Sequence, residues 1–378
     1  MMNPMLLTSL VFASLGCVDT ATVNEQDGGY EHVLVAIGKD VAYHGDILVN
    51  LKALFRKASA FLLAATKGKF YFKEVIISVP SRWPPMGRKK VWEDLFNQAD
   101  VQVVSGLKEP DTLNPSRSFP GDFNPVRFPS EFVRDLNSTT TKKFGKPEYH
   151  LIHHWANHRY GVFAEHASSP DKALYCSNNK MEATRCTDEI GFKLSNAHGS
   201  VCPKNDACTD MSDLCDVAFH QEKEPAPASI MFLPYLNGVS QFCDQDTHNP
   251  DAPNLQNERH QGVSTWDVIS KHDDFLRHII RHVINDDESV GIIRFNSSCK
   301  VLQHLIKLSI SGARENLADM VDRLEVGGGT SIGCGLQLGI QTLSVTFRNT
   351  TKAVADSLHY HFCTADIEQQ KRSTQVQD

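Results

Sequence analysis

An α/β fold is what this sequence predicts, and three observations carry the prediction. A short apolar run, a long amphipathic segment and an alternating apolar segment follow one another near the start, the strand–helix–strand order that opens an α/β layer. A loop-rich stretch then concentrates six of the ten cysteines. After it, apolar periodicity returns in helix–strand–helix order from Leu276, so a second and smaller α/β part is expected.

The elements can be justified in turn. His32 to Ile37 suits a buried strand. Ile47, Leu48, Leu51, Leu54, Phe55, Ala58, Phe61, Leu62 and Ala65 keep a 3.6-residue period and predict a helix. Val75, Ile77 and Val79 alternate as a strand does, up to Pro80. Residues 105–130 are rich in Pro, Ser, Asp and Asn and read as loop. Leu151 to Arg159 predicts a helix dense in histidine, and Pro225 to Asn257 shows little periodicity. Leu276, Ile279, Ile280 and Val283 suit a helix, Val290 to Phe295 a buried strand, and Leu317, Met320, Val321 and Leu324 another helix. Gly327, Gly328 and Gly329 then punctuate the chain before Thr330 to Leu343.

Composition narrows the function classes. Hydrophobic residues make up 41% and charged residues 22% of 378, ordinary values for a chain that forms a core. The net charge of −7 gives no general attraction to nucleic acid or anionic lipid. Met5 to Leu15 reads as the apolar part of a secretory signal, although no Lys or Arg precedes it. No later segment approaches ~20 consecutive apolar residues, so no transmembrane segment is expected in the mature chain. In the oxidising compartment that a signal implies, Cys176, Cys186, Cys202, Cys208, Cys215 and Cys243 read as a disulfide framework of open connectivity. Cys299, Cys334 and Cys363 lie apart from it. Sequons at Asn137, Asn296 and Asn349 are glycosylation candidates on the same condition.

Five of the 17 histidines, His150, His153, His154, His158 and His166, fall close together. On a helix, residues four apart share a face, so His150, His154 and His158 align. Two imidazoles at that spacing are the core of an H-E-x-x-H zinc site, in which the Glu takes a proton from the metal-bound water. Neither His153 nor His154 is followed by Glu. Surface histidines without a metal fit this pattern equally well.

The segment from His153 to Glu165 (H-H-W-A-N-H-R-Y-G-V-F-A-E) resembles the peptidase segment H-E-F-A-H-L-R-W-G-V-F-D-E of the calcium-activated chloride channel regulator (CLCA) family. Further segments resemble that family in the same order. They are Gly29-Tyr30, Ala64 to Lys67 before Phe70 to Phe72, Glu182 to Cys186, Ser229 to Phe232, Ala252 to Asn257 and Ser264 to Ile269. The resemblance implies a secreted protein with a zincin-like N-terminal domain, a cysteine-rich segment and a von Willebrand factor A (VWA) domain. It implies self-cleavage at the zincin site in active members, and modulation of anoctamin-type calcium-activated chloride channels by some. The expected layout is a signal at 1–22, a zincin-like domain at 23–170, a cysteine-rich segment at 171–275, an incomplete Rossmann-like VWA domain at 276–346 and a polar tail at 347–378.

Two registers are open for the zinc ligands. Without gaps, His153 is the one ligand kept: His154 stands at the catalytic Glu, Asn157 at the second ligand and Ala164 at the third. Shifted by one residue, His154, His158 and Glu165 recover ligand types and spacing, with Trp155 at the base position. Both lack the base, so no residue is assigned a catalytic role. Zinc is expected only in the shifted register. In the VWA part, Val290 to Phe295 resembles a core strand and Gly328 to Gly333 the G-G-T-x-I-G loop, so Thr330 matches the threonine of an adhesion site. The D-x-S-x-S strand is absent between Phe275 and Leu276, so calcium or magnesium is not expected there. Three functional readings follow: a noncatalytic secreted modulator of chloride conductance that binds a channel or another surface protein, a self-cleaving zinc peptidase using the shifted ligands, and a nonfunctional truncated product.

Overall fold

The computed structural model describes residues 21–24, 26–84, 93–112, 125–136, 145–195, 215–219, 228–236, 238–278, 280–281, 284–295, 298–322, 334–335 and 337–342. The chain forms two compact units that divide between Ile269 and Ser270. The architecture is mixed α/β, with several sheets and helices.

The first unit begins with β1 (Thr22–Val23), β2 (Gly29–Glu31), β3 (Val33–Ile37), α1 (Gly45–Ala65), β4 (Tyr71–Phe72) and β5 (Val75–Ser78). It continues with β6 (Val101–Val104), β7 (Asp111–Thr112), β8 (Val126–Pro129), α2 (Ser130–Arg134) and α3 (Pro147–Tyr160). A five-stranded sheet runs in the order β5-β3-β6-β8-β7. Its strands are parallel except β7, which pairs antiparallel to β8 at the edge. Every residue of β3 is buried, which is why its sequence is a continuous apolar run: a central strand of a parallel sheet is covered on both faces.

Helix α1 buries Ile47, Leu51, Leu54, Phe55, Ala58 and Leu62, the stripe its periodicity predicts. The Thr66 hydroxyl donates to the Leu62 carbonyl at 2.7 Å as the helix ends. Gly68, at φ 81°, adopts a left-handed conformation that L side chains resist, and its N–H reaches the Leu63 carbonyl. Helix α3 starts with Pro147 in its first turn and stops at Gly161, φ 66°. It packs against α1, β7 and β8.

The region expected to be loop, residues 105–130, contains β7 and β8. Val126 and Phe128 are fully buried there, and the ladder to β6 supplies partners for a backbone whose Pro and Asn content suggested a turn.

The cysteine-rich segment holds β9 (Leu174–Ser177), β10 (Lys180–Ala183), β11 (Phe192–Ser195), β12 (Asp216–Phe219), β13 (Ala228–Ser229) and β14 (Val239–Gln241). Asn178 and Asn179, both at positive φ, turn the β9–β10 hairpin. Leu174, Ala183 and Leu194 form its small core. Then come α4 (Leu255–His260) and α5 (Thr265–Ser270).

The second unit has α6 (Asp273–His278), a hairpin of β15 (Ser289–Phe295) and β16 (Cys299–Lys307), and α7 (Ala313–Asp322). Ile280, Leu308, Leu317 and Val321 form its core. Arg314 ties the unit together by donating to the Ile284 carbonyl at 2.6 Å and to Asp286 at 2.7 Å. Among the described residues β15 and β16 make a two-stranded sheet.

Candidate functional site

Helix α3 carries four of the five clustered histidines, His166 lying beyond its end, and the structure gives each a protein partner. Trp155 is fully buried and anchors the helix. Its ring meets Tyr30 and Phe72 edge-on at 5.2 and 4.9 Å between centroids. That anchor sets where the neighbouring imidazoles point.

His153 Nδ1 lies 2.8 Å from the Ile230 carbonyl oxygen. A carbonyl only accepts, so Nδ1 carries the proton and Nε2 the lone pair. Burial lowers the His153 pKa to about 3, against the opposing effect of that hydrogen bond. The ring is therefore neutral across the ordinary pH range. His154 is also held well below the usual imidazole value, first by burial and then by His153 and His150, although the Pro110 carbonyl favours its charged form. His158 Nε2 sits 3.2 Å from Asp100 Oδ1, and both side chains are almost wholly buried. Asp100 Oδ2 accepts the Leu34 N–H at 2.8 Å, so this carboxylate links α3 to β3. His150 is buried beside Phe132, and His166 Nδ1 meets the Ala167 carbonyl oxygen.

Glu165 lies past the turn that ends α3, and it is completely buried. His248 Nδ1 is 3.1 Å from its Oε1. On the other side His248 Nε2 is 2.7 Å from Asn257 Oδ1. The Asn257 amide nitrogen donates to the Asn249 and Ala252 carbonyls, each at 2.8 Å, which fixes Oδ1 toward the ring. Nε2 therefore donates to Asn257, and one further proton sits between Nδ1 and Glu165. Burial raises the Glu165 pKa, with His248 opposing.

The two ligand sets read from the sequence therefore sit as follows. In the ungapped register the positions hold His153, Asn157 and Ala164, of which His153 is a zinc-binding type, and Asn157 Nδ2 donates to the Val162 carbonyl. In the shifted register, His158 faces Asp100 and Glu165 faces His248. His154, His158 and Glu165 do not form a set whose ligand atoms lie within 4.8 Å of one another. Neither arrangement fits a zinc ion held by three residues in the manner of a zincin.

The remaining candidates scatter. Cys176 and Cys215 are disulfide-bonded. Cys186 and Cys243, read as part of the disulfide framework, are buried free thiols. Cys299 and Cys334, read as lying apart, form a disulfide with their Cα atoms 6.0 Å apart. Spacing along the chain groups cysteines, whereas the fold decides which ones meet. Cys202, Cys208, Cys363, Thr330, Asn137, Asn296, Asn349 and the signal segment lie outside the described residues. Sequence reasoning missed Asp100 and His248. The first had no motif around it, and the second stands 83 residues from Glu165. Among the described residues no helix is long and apolar enough to cross a membrane.

The profile of the family described as calcium-activated chloride channel N terminal matches residues 23–280. Human calcium-activated chloride channel regulator 2 is 31% identical over 262 residues, covering 68% of this chain and 27% of the relative. Bovine calcium-activated chloride channel regulator 1 is 26% identical over 410 residues, 91% of this chain and 44% of the relative. Mouse calcium-activated chloride channel regulator 3A-1 is 26% identical over 396 residues, 88% and 43% respectively. The chain thus spans less than half the length of these relatives. No solved structure matches it.

Proposed function

Because this chain belongs to the calcium-activated chloride channel regulator family, we propose that it acts as a secreted, noncatalytic modulator of calcium-activated chloride conductance by binding another protein. The relatives are named as regulators of such channels, and that supports the conductance part of the reading. The observation that carries the noncatalytic part is the state of α3. The position of the catalytic Glu in the family motif is held by His154 in the ungapped register and by Trp155 in the shifted one. The first is a half-buried imidazole beside two others, its pKa held well below the usual value, and the second accepts no proton. A neutral imidazole with a pKa held so low is a poor acceptor for a proton from water at neutral pH. His158 is committed to Asp100 and Glu165 to His248, so the helix serves the core.

The partner expected is an anoctamin-type chloride channel or a neighbouring cell-surface protein. The test is to add the purified secreted chain to cells carrying a calcium-activated chloride current and record whole-cell currents. A reproducible change in current that survives His153→Ala supports the reading. Unchanged currents, together with no surface partner captured by crosslinking, would overturn it.

A further inference from the structure

A second group of metal-ligating side chains shares only Glu165 with the family motif. Glu165, Cys186 and Cys243 place one carboxylate oxygen and two sulfurs within 4.8 Å of one another, all three residues buried. Four segments build the site, and each is held by its backbone. The Glu165 N–H donates to the Met231 carbonyl at 2.7 Å, and the Asn249 N–H to the Cys186 carbonyl at 2.9 Å. The Trp266 N–H reaches the Cys243 carbonyl at 2.8 Å. The Ser229 N–H donates to Cys186 Sγ at 3.4 Å. The sulfurs and the carboxylate are thus presented by irregular segments fixed through backbone hydrogen bonds.

Two observations point to a ligand. Glu165 Oε2 is buried and makes no hydrogen bond of regular geometry, the Ser229 hydroxyl standing close enough to favour the charged carboxylate, while Oε1 is held by His248. A buried carboxylate oxygen left unmatched is costly, and native proteins either pair such an atom or coordinate it to a cation. The second is charge. The Glu165–His248 pair with its one shared proton, two thiolates and one divalent cation sum to zero, so the filled site introduces no net charge into the interior. His248, oriented by Asn257, then stands behind the carboxylate as the outer partner that metal-bound carboxylates commonly have.

We propose that Glu165 Oε2, Cys186 Sγ and Cys243 Sγ bind a divalent zinc ion. Two sulfurs and one oxygen match the donors zinc takes in tetrahedral sites, with a fourth position left for water or a neighbouring oxygen. Without a cation, the neighbouring Cys186 thiol, burial and the Glu165 charge all push the Cys243 pKa upward. Binding therefore displaces both thiol protons, Zn²⁺ + 2 RSH giving Zn(SR)₂ + 2 H⁺, and weakens as the pH falls.

The test uses the whole secreted chain. Zinc is measured by elemental analysis after dialysis, and the metal-free chain is titrated with cobalt. About one zinc per chain is expected, lost in Cys186→Ser and Cys243→Ser and retained in His153→Ala. Cobalt is expected to give a thiolate charge-transfer absorption in the near ultraviolet, read on the unaltered chain, so a variant that fails to fold does not decide the matter. A chain with no zinc and no such absorption would overturn the proposal. So would a peptide map in which Cys186 and Cys243 are joined by a disulfide, or zinc that survives both cysteine substitutions.

Discussion

The histidine helix and the Glu165 corner lie a few residues apart in sequence, and each holds buried polar atoms without a hydrogen-bond partner. These are Trp155 Nε1 and Asn157 Oδ1 on the helix and Glu165 Oε2 at the corner, but among the described residues the corner gathers other metal-ligating atoms beside its own. In α3, the residues where the family motif stands are tied into the protein. His153 is bonded to the Ile230 carbonyl, His158 to Asp100, and Trp155 fills the core. At Glu165, one carboxylate oxygen is matched by His248 and the other is unmatched beside two free thiols. A helix rich in metal-ligand residue types thus has two of its imidazoles bonded to protein oxygens, while a corner of which the sequence marked Glu165 alone as a metal ligand gathers three ligand-type side chains. Ligand type at helical spacing is a statement about sequence; what the nitrogen or oxygen is bonded to decides its role.

The largest expected effect tests the structural side of that contrast. Trp155→Ala removes a fully buried anchor and is expected to destabilise the first unit by about 3–5 kcal/mol, measured by denaturant unfolding. A loss below about 1 kcal/mol would mean that the helix is not held by its core face. Next is Asp100→Ala, which leaves the Leu34 N–H and the His158 ring without their partner. A loss of about 2–4 kcal/mol is expected; a neutral result would detach His158 from a structural role.

Acid titration sharpens the comparison further. The folded pKa of His153, about 3, lies below its unfolded value near 6.5, so the unfolded chain binds the extra proton first. Its contribution is whole above about pH 6.5 and is lost as the pH falls toward 3. His154 acts in the same direction. Glu165 has a raised pKa, so its contribution is present below the ordinary carboxylate value and fades as the pH rises through the folded one. Melting temperature should therefore fall between pH 6.5 and 4, and His153→Gln should flatten that fall. An unchanged slope in the variant would show that the ring is not held neutral. The smallest effect is that of Glu165→Gln on the metal-free chain, within about 1 kcal/mol because it keeps shape and removes a buried acid.

Much of the framework was legible in the sequence because burial there follows simple periods. The stripe of α1 and the apolar run of β3 state their environments directly. Strand β8 was not legible: its Pro and Asn neighbours signal a turn, and only pairing to β6 makes it a strand. Gln102 hides β6 in a similar way, since its amide donates to the Phe96 carbonyl and a polar residue becomes acceptable in a buried strand. The Glu165 corner was half legible. Glu165 stood out as a ligand type, but the thiols and His248 reach it from other elements, and no spacing rule joins such distant positions. The same limit applied to the disulfide between Cys299 and Cys334, which tertiary pairing brings together.

The central proposal, that α3 serves as a structural helix without peptidase chemistry, is tested most directly by self-cleavage. The purified chain would be incubated with added zinc and followed by intact mass. A single uncut species over the time course is the predicted result. A cleaved product that forms in the unaltered chain and disappears in His153→Ala, or in His154→Ala and His158→Ala, would contradict the account.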